Sequence, residues 1–186
     1  MEYLDICGEL GNLTGQTASR ETVHRKGLLH RTSHVWVIRK QGERYQVLLQ
    51  KRSKDKDSFP GMYDASSAGH IPAGAEPLAS ILREMEEEIG IRAIPAELTF
   101  IGSFRCDYQA EFHGQMFHDN EIRFAYVYET PVEITDLTLQ ESEVEEVRWF
   151  DVEAVFREIR QGSDRICITA QGFELLLAFL KNRSLP

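Results

Sequence analysis

Cysteine is scarce in this sequence. Cys7, Cys106 and Cys167 are the three among 186 residues. They are odd in number and far apart, with no CxxC spacing, which excludes a disulfide framework and a cysteine-based structural zinc site. No apolar run approaches the roughly 20 residues a membrane helix requires. The opening MEYLDICGEL lacks the basic and apolar regions of a secretion signal. Membrane association is therefore not expected, and a cytoplasmic setting is. Basic residues are outnumbered, 21 Lys and Arg against 30 Asp and Glu, for a net charge of -9. Sequence-independent binding to a nucleic-acid polymer needs a basic footprint, so no such partner is expected. The small basic cluster of Lys51, Arg52, Lys54 and Lys56 suits a small anion better than a long polyanion. Internal repeats and low-complexity linkers are missing too.

What is present is enough apolar content, 42%, to bury one core, so the chain from 1 to 186 reads as a single domain. "YLDICGELGNLTGQT" reads as two short strands around a turn, the start of an N-terminal hairpin extension over 1–28. Ser19 is placed to cap a helical turn running from Arg20 to Arg25. "HVWVIRK" and "YQVLLQKR" suggest an antiparallel pair, with Trp36, like Trp149 later, packing in an alternating strand. "DSFPGMYDASSAGHIPAGAEP" reads as a long loop with a structural turn at Phe59-Pro60-Gly61, and loops of that length are often functional. A helix follows from Pro77 to Ile89, with proline in the first turn and Gly90 as its C-terminal cap. Strands are expected at "LTFIGSFRCDY", "EIRFAYVYE" and "EVRWF", and helices at "DVEAVFREIR" and "QGFELLLAFLKN". Strands and helices without regular alternation give an α+β fold.

On the 77–89 helix, Leu78, Ile81, Leu82, Met85 and Ile89 fall on one arc, the packing face. Glu84, Glu87 and Glu88 stand at i, i+3 and i+4 on an adjacent stripe, whereas Glu86 points to solvent. Neighbouring carboxylates repel, and near a helix C-terminus the macrodipole disfavours them as well. A hard divalent cation, magnesium or manganese, would remove both penalties. A solvated acidic face explains the same run, and the helix alone does not choose between the two.

The residues upstream extend the pattern. "GHIPAGAEPLASILREMEEEIGI", 69–91, resembles the Nudix box, G-x5-E-x7-R-E-U-x-E-E-x-G-U, with Gly69, Arg83, Glu84, Met85, Glu87, Glu88, Gly90 and Ile91 in register. Ala75 stands where the motif has its first glutamate, and Glu76 follows one place later. The resemblance implies an α/β/α sandwich with a mixed sheet. It further implies that Glu84, Glu87 and Glu88 bind catalytic Mg2+ or Mn2+, helped by a carbonyl near Gly69, and that Arg83 orients the acids. The expected activity is cleavage of a phosphoanhydride bond in a small diphosphate-containing metabolite, such as a nucleoside diphosphate linked to another moiety X. In this fold a homodimer is a common assembly.

"HRKGLLHRTSHVWVI", "LLQKRSKDKDSFPGMYDASSAGH" and "HDNEIRFAYVY" are also similar to the superfamily branch containing type I isopentenyl-diphosphate isomerase. That likeness runs from Tyr3 to Asp151 and implies a second, transition-metal site built from His24, His30, His70, Asp119 and Glu121. The His24 to His30 spacing is one residue short of the isomerase pattern. Asp119 and Glu121 share a strand face by alternation. The plainer reading makes these surface histidines and a turn aspartate. The isomerase places its catalytic cysteine just before G-H; here that position is Ala68, so isomerisation is not expected, and nothing puts Cys106 in its place. His34 is expected to pack, and His113 and His118 to face solvent. Lys51 and Arg52 end the strand leading into the long loop and are candidates for substrate phosphates. Two rival readings remain beside the hydrolase: an isomerase using another acid, and a non-catalytic binding module.

Overall fold

A computed structural model describes residues 2–112 and 114–183; His113, one of the histidines weighed above, lies outside them. Among the described residues the chain forms nine strands and four helices. The first strands, β1 (Tyr3–Cys7) and β2 (Leu13–Ser19), form a hairpin. Helix α1 (Arg20–Lys26) starts where the Ser19 hydroxyl accepts the Thr22 N–H and stops at Gly27, which takes the left-handed conformation. Strand β3 (His30–Gln41) pairs antiparallel with β4 (Arg44–Arg52).

The segment expected to be a long loop contains two short strands, β5 (Tyr63–Asp64) and β6 (Ser67–His70). Their Ser, Ala and Gly residues look like loop composition, yet β6 pairs with β3 from Thr32↔His70 to Val35↔Ser67. Small side chains are what fit between the sheet and the helix that follows, and tertiary pairing overrides local propensity. That helix, α2, spans Pro77–Ile89 and ends on Gly90 at φ 76. Strands β7 (Leu98–Phe112) and β8 (Gln115–Tyr128) make a long antiparallel ribbon. β8 also runs parallel to β3, from His30↔Glu121 to Val37↔Tyr128, which makes the sheet mixed. Strand β9 (Val144–Asp151) pairs with β4, and helices α3 (Val152–Gln161) and α4 (Ala170–Arg183) follow.

Alternation along the central strands splits the core between two faces. Val35, Val37 and Leu48 pack with Ile81, Met85 and Ile89 of α2. Trp36, Ile38, Val47 and Leu49 pack with Val155, Phe173 and Leu176 of α3 and α4. The sheet is thus sandwiched between α2 and the α3/α4 pair, an α+β fold in α/β/α layers. Leu82 differs from its place on the wheel: it is only partly buried, and Glu88 is buried instead. Both tryptophans pack, Trp36 edge-on to Phe173 at 5.4 Å and Trp149 beneath the Arg39 guanidinium at 4.2 Å. No helix among the described residues is long and apolar enough to cross a membrane.

Candidate active site

Strand β6 divides two clusters of polar side chains. Its register on β3 sends Ser67 and Gly69 toward α2, and Ala68 and His70 toward the face carrying Thr32 and Arg123. A cleft of about 640 Å³ touches both sides.

On the α2 side the three glutamates are not equivalent. Glu88 is buried, and its Oε2 accepts hydrogen bonds from Ser67 Oγ (2.6 Å), Ala68 N (3.2 Å) and Gln50 Nε2 (3.3 Å). Burial still pushes its pKa upward against those donors. Glu84 is largely buried, and burial lifts its carboxyl from 4.5 to about 7, with Arg83 pulling the other way and Glu88 and Glu87 adding to the rise. Glu87 is half exposed. Arg83 bridges the last two, donating from Nη2 to Glu84 at 2.6 Å and from Nη1 to Glu87 at 2.8 Å. Gly69 makes room for this: a Cβ there would lie 2.4 Å from Glu84 Cδ. The donors are oxygens only, with burial raising the carboxyl pKa of Glu84 and Glu88, and such a set fits a hard divalent cation. Glu86 faces outward and pairs with Arg92 at 2.9 Å. Glu76 sits at the helix N-cap without a side-chain cap bond, and Arg31 fastens the carbonyl of Ala75.

On the other side, ligand atoms of His24, His30, His70 and Glu121 lie within 4.8 Å of one another. They come from α1, β3, β6 and β8. His24 Nε2 stands 3.2 Å from His70 Nε2, so the shortened spacing does not exclude His24. Asp119 Oδ1 lies 3.8 Å from His24 Nε2, at the margin of the group. His30 Nδ1 is 3.0 Å from the Leu28 carbonyl, an arrangement that leaves Nε2 as the lone-pair nitrogen. That Nε2 and Asp119 Oδ1 are buried without hydrogen-bond partners. Burial lowers the pKa of His24 to about 4 and that of His70 well below its ordinary value, keeping both rings neutral. Glu121 stays anionic because Arg123 and His30 outweigh its burial, whereas burial and the Glu121 charge raise Asp119. Two neutral imidazoles, a third at His30 whose pKa Glu121 raises against its burial, a carboxylate and orphaned acceptors fit a transition-metal ion that would displace the His30 proton.

Arg123 went unnoticed in the sequence although alternation places it with Asp119 and Glu121 on one strand face. It donates from Nε to Glu121 Oε2 (2.6 Å) and from Nη2 to Asp119 Oδ2 (3.1 Å). Arg52 reaches the cleft, but Lys51, the neighbour that alternation turns away, does not; Lys51 pairs with Glu145 at 2.9 Å. Arg20 and Lys56 line the cleft in its stead, the latter paired with Glu143. His34 is partly buried at the cleft wall, 3.4 Å from Thr32 Oγ1, and burial lowers its pKa to about 4. His118 is not free in solvent: its Nε2 is 2.8 Å from Asp107 Oδ1. Cys106 lies directly across from Glu121 in the ribbon, buried, with its pKa raised by burial to about 11.

A family model described as NUDIX domain matches residues 28–170. An uncharacterized Nudix hydrolase of Clostridium acetobutylicum, CA_C0446, is 38% identical over 172 residues, 92% of this chain and 80% of that protein. Nudix hydrolase 3 of Arabidopsis thaliana is 38% identical over 154 residues, which is 82% of this chain and 19% of the plant protein. The crystal structure of DR0079 from Deinococcus radiodurans matches with a TM-score of 0.71 over 93% of this chain and 98% of that one; at 18% identity the likeness is one of fold.

Proposed function

Since the chain belongs to the Nudix hydrolase family, we propose that it cleaves a phosphoanhydride bond in a small diphosphate-containing metabolite, a nucleoside diphosphate linked to X or a similar compound. The observation that carries this reading is the set Glu84, Glu87, Glu88 and Arg83, gathered at one cleft with Gly69 beneath it and Arg20, Arg52 and Lys56 around it.

Magnesium or manganese held by the three glutamates and a carbonyl near Gly69 would neutralise phosphoryl oxygens and acidify water. The protein's own groups do the rest. Arg83 keeps Glu84 and Glu87 apart and oriented. The cation would draw the Glu84 carboxyl, which burial lifts to about 7, back to its ionised form, and one of the three carboxylates would serve as general base. Arg52, Lys56 and Arg20 supply fixed positive charge for a diphosphate. His24, His30, His70, Glu121 and Asp119 would hold a second, transition-metal ion, and Arg123 keeps the two carboxylates in place. In this reading 1–186 works as one domain with its box at 69–91, in the cytoplasm, as a monomer or a homodimer.

The test is a panel of nucleoside diphosphate derivatives, dinucleoside polyphosphates and prenyl diphosphates, each with magnesium or manganese. Two phosphorylated products are expected from at least one member. Glu84→Gln and Glu88→Gln should each lower kcat by about 10²-fold or more while thermal unfolding stays cooperative. A panel with no turnover, or variants as active as the parent, would refute the assignment. The branch resemblance favours a second reading, isomerase chemistry, but Ala68 offers no proton at the cysteine position. Deuterium incorporation from isopentenyl diphosphate in heavy water would revive it.

A further inference from the structure

Strand β6 pairs with β3 alone among the described residues, so its far edge carries N–H groups that no strand receives. There the Ala68 N–H donates to Glu88, and the Ser67 hydroxyl and the Gln50 amide reach the same carboxylate. All three donors meet one oxygen, Oε2. A carboxylate accepts hydrogen bonds on both oxygens, and donors gathered only to offset a buried charge would be shared between them. No hydrogen bond among the described residues reaches Oε1. Glu88 lines the cleft, and Oε1 is the atom it has left to present there.

Gln50 adds an independent sign. Its side chain is buried on β4, and while Nε2 donates to Glu88, its own Oε1 is buried without a partner. A buried acceptor left unpaired costs stability, and leucine or methionine would fill the position without that cost. What the amide supplies, and an apolar side chain would not, is the third donor on Oε2.

The same division runs along the acidic stripe. Arg83 occupies Oε1 of Glu84 and Oε2 of Glu87, one oxygen of each. Each carboxylate of the set therefore has one oxygen committed to the protein and one left over. Arg83 is itself largely exposed, so its two bonds yield easily. The clamp on Glu88 is buried, and drawing Oε2 away would strand the Ser67 hydroxyl and the Ala68 N–H.

We propose that Gln50 and Ser67 are positioning residues that hold Glu88 to ligation through one oxygen and thereby disfavour calcium at the glutamate site. Magnesium takes single oxygens in a tight octahedron, whereas calcium is larger, accepts more ligands and gains from both oxygens of one carboxylate. The inference rests on the reading of Glu88 as a metal ligand, and the test separates the two.

Magnesium and calcium are titrated separately into the whole metal-free chain by calorimetry. Both are hard ions that prefer oxygen to imidazole, which keeps the histidine cluster out of the measurement. Ser67→Ala and Gln50→Met should each shift the ratio of the two affinities toward calcium by about tenfold. Gln50→Met keeps the side-chain volume, so it serves even if Ser67→Ala does not fold. A crystal of the wild type grown in magnesium should show Glu88 on the ion through Oε1, with Ser67 still on Oε2. Affinities for both ions that fall by the same factor would assign the pair to packing and overturn the proposal, as would magnesium bound through Oε2. If the ratio does not move while Glu88→Gln still weakens magnesium, the clamp falls and the hydrolase reading stands. If Glu88→Gln changes neither affinity, Glu88 is no ligand, and the metal-site reading falls with the clamp.

Discussion

Arg52 reaches the cleft wall with each guanidinium nitrogen engaged: Nε and Nη2 on Ser58, and Nη1 on Asp64 Oδ2 at 3.1 Å. Burial alone would raise the Asp64 pKa, but Arg52, together with His34, the Ala65 N–H and Arg123, outweighs it and holds the carboxyl below its ordinary value of 3.8. A depressed carboxylate contributes stability that is present above pH 3.8 and is lost as pH falls through the lower folded value. Wild type should therefore lose stability to acid more steeply below pH 3.8 than Asp64→Asn does, in urea titrations at a series of pH values. At pH 7 Asp64→Asn should cost about 2–4 kcal/mol, because it leaves a mostly buried guanidinium without its counter-charge. The sequence signalled that Arg52 carries charge near the site, but not what fixes it, since Asp64 sat in a stretch without visible periodicity. The choice of Lys51 beside it failed for a simple reason. Consecutive strand residues face opposite ways, and Gln50 with Arg52 is the pair alternation would have chosen.

At the scale of elements, α2 was the most legible part of the chain: its ends, its proline and its terminal glycine follow from the sequence. The wheel grouped Glu84, Glu87 and Glu88 but treated them as equals, because how deep each lies is decided by β6 and Gln50, not by the helix. Strand β6 was the least legible. Three small residues and a histidine carry no hydrophobic pattern, and only pairing with β3 makes them a strand. Gly69→Ala tests that contact. Its Cβ would displace the end of the flexible Glu84 side chain, so metal-dependent kcat should fall by about 10–100-fold with the Tm changed by no more than a few degrees. Gly90→Ala tests the opposite case. There the φ of 76 and the Thr138 backbone nitrogen 2.8 Å from the added Cβ leave no escape, so stability should fall by more than about 1 kcal/mol while activity per folded molecule is kept, as activity normalised to the native fraction would show.

Over the whole molecule, the histidine cluster draws one residue each from α1, β3, β6 and β8, and an ion there would tie four separate elements together. Manganese supplied at 100 times its Kd should add about 2.7 kcal/mol, and thus raise Tm by about 5–11 °C for a domain of this size. With magnesium already saturating the glutamate site, EDTA should reverse the gain and His30→Ala should abolish the further gain from manganese, as scanning calorimetry would show. The α+β layered class was readable from the order of elements and the mixed sheet only from the family resemblance, and the pairing of β3 with β8 was not readable, since no local pattern announces a partner so far along the chain. That pairing sets His30 directly beside Glu121. During synthesis the first two histidines leave the ribosome on the order of ten seconds before the carboxylate that joins them. If that cluster holds an ion as proposed, the nascent protein would until then carry half a chelator, open to whichever metal the cell leaves loose, and correct loading would wait for the second half of translation.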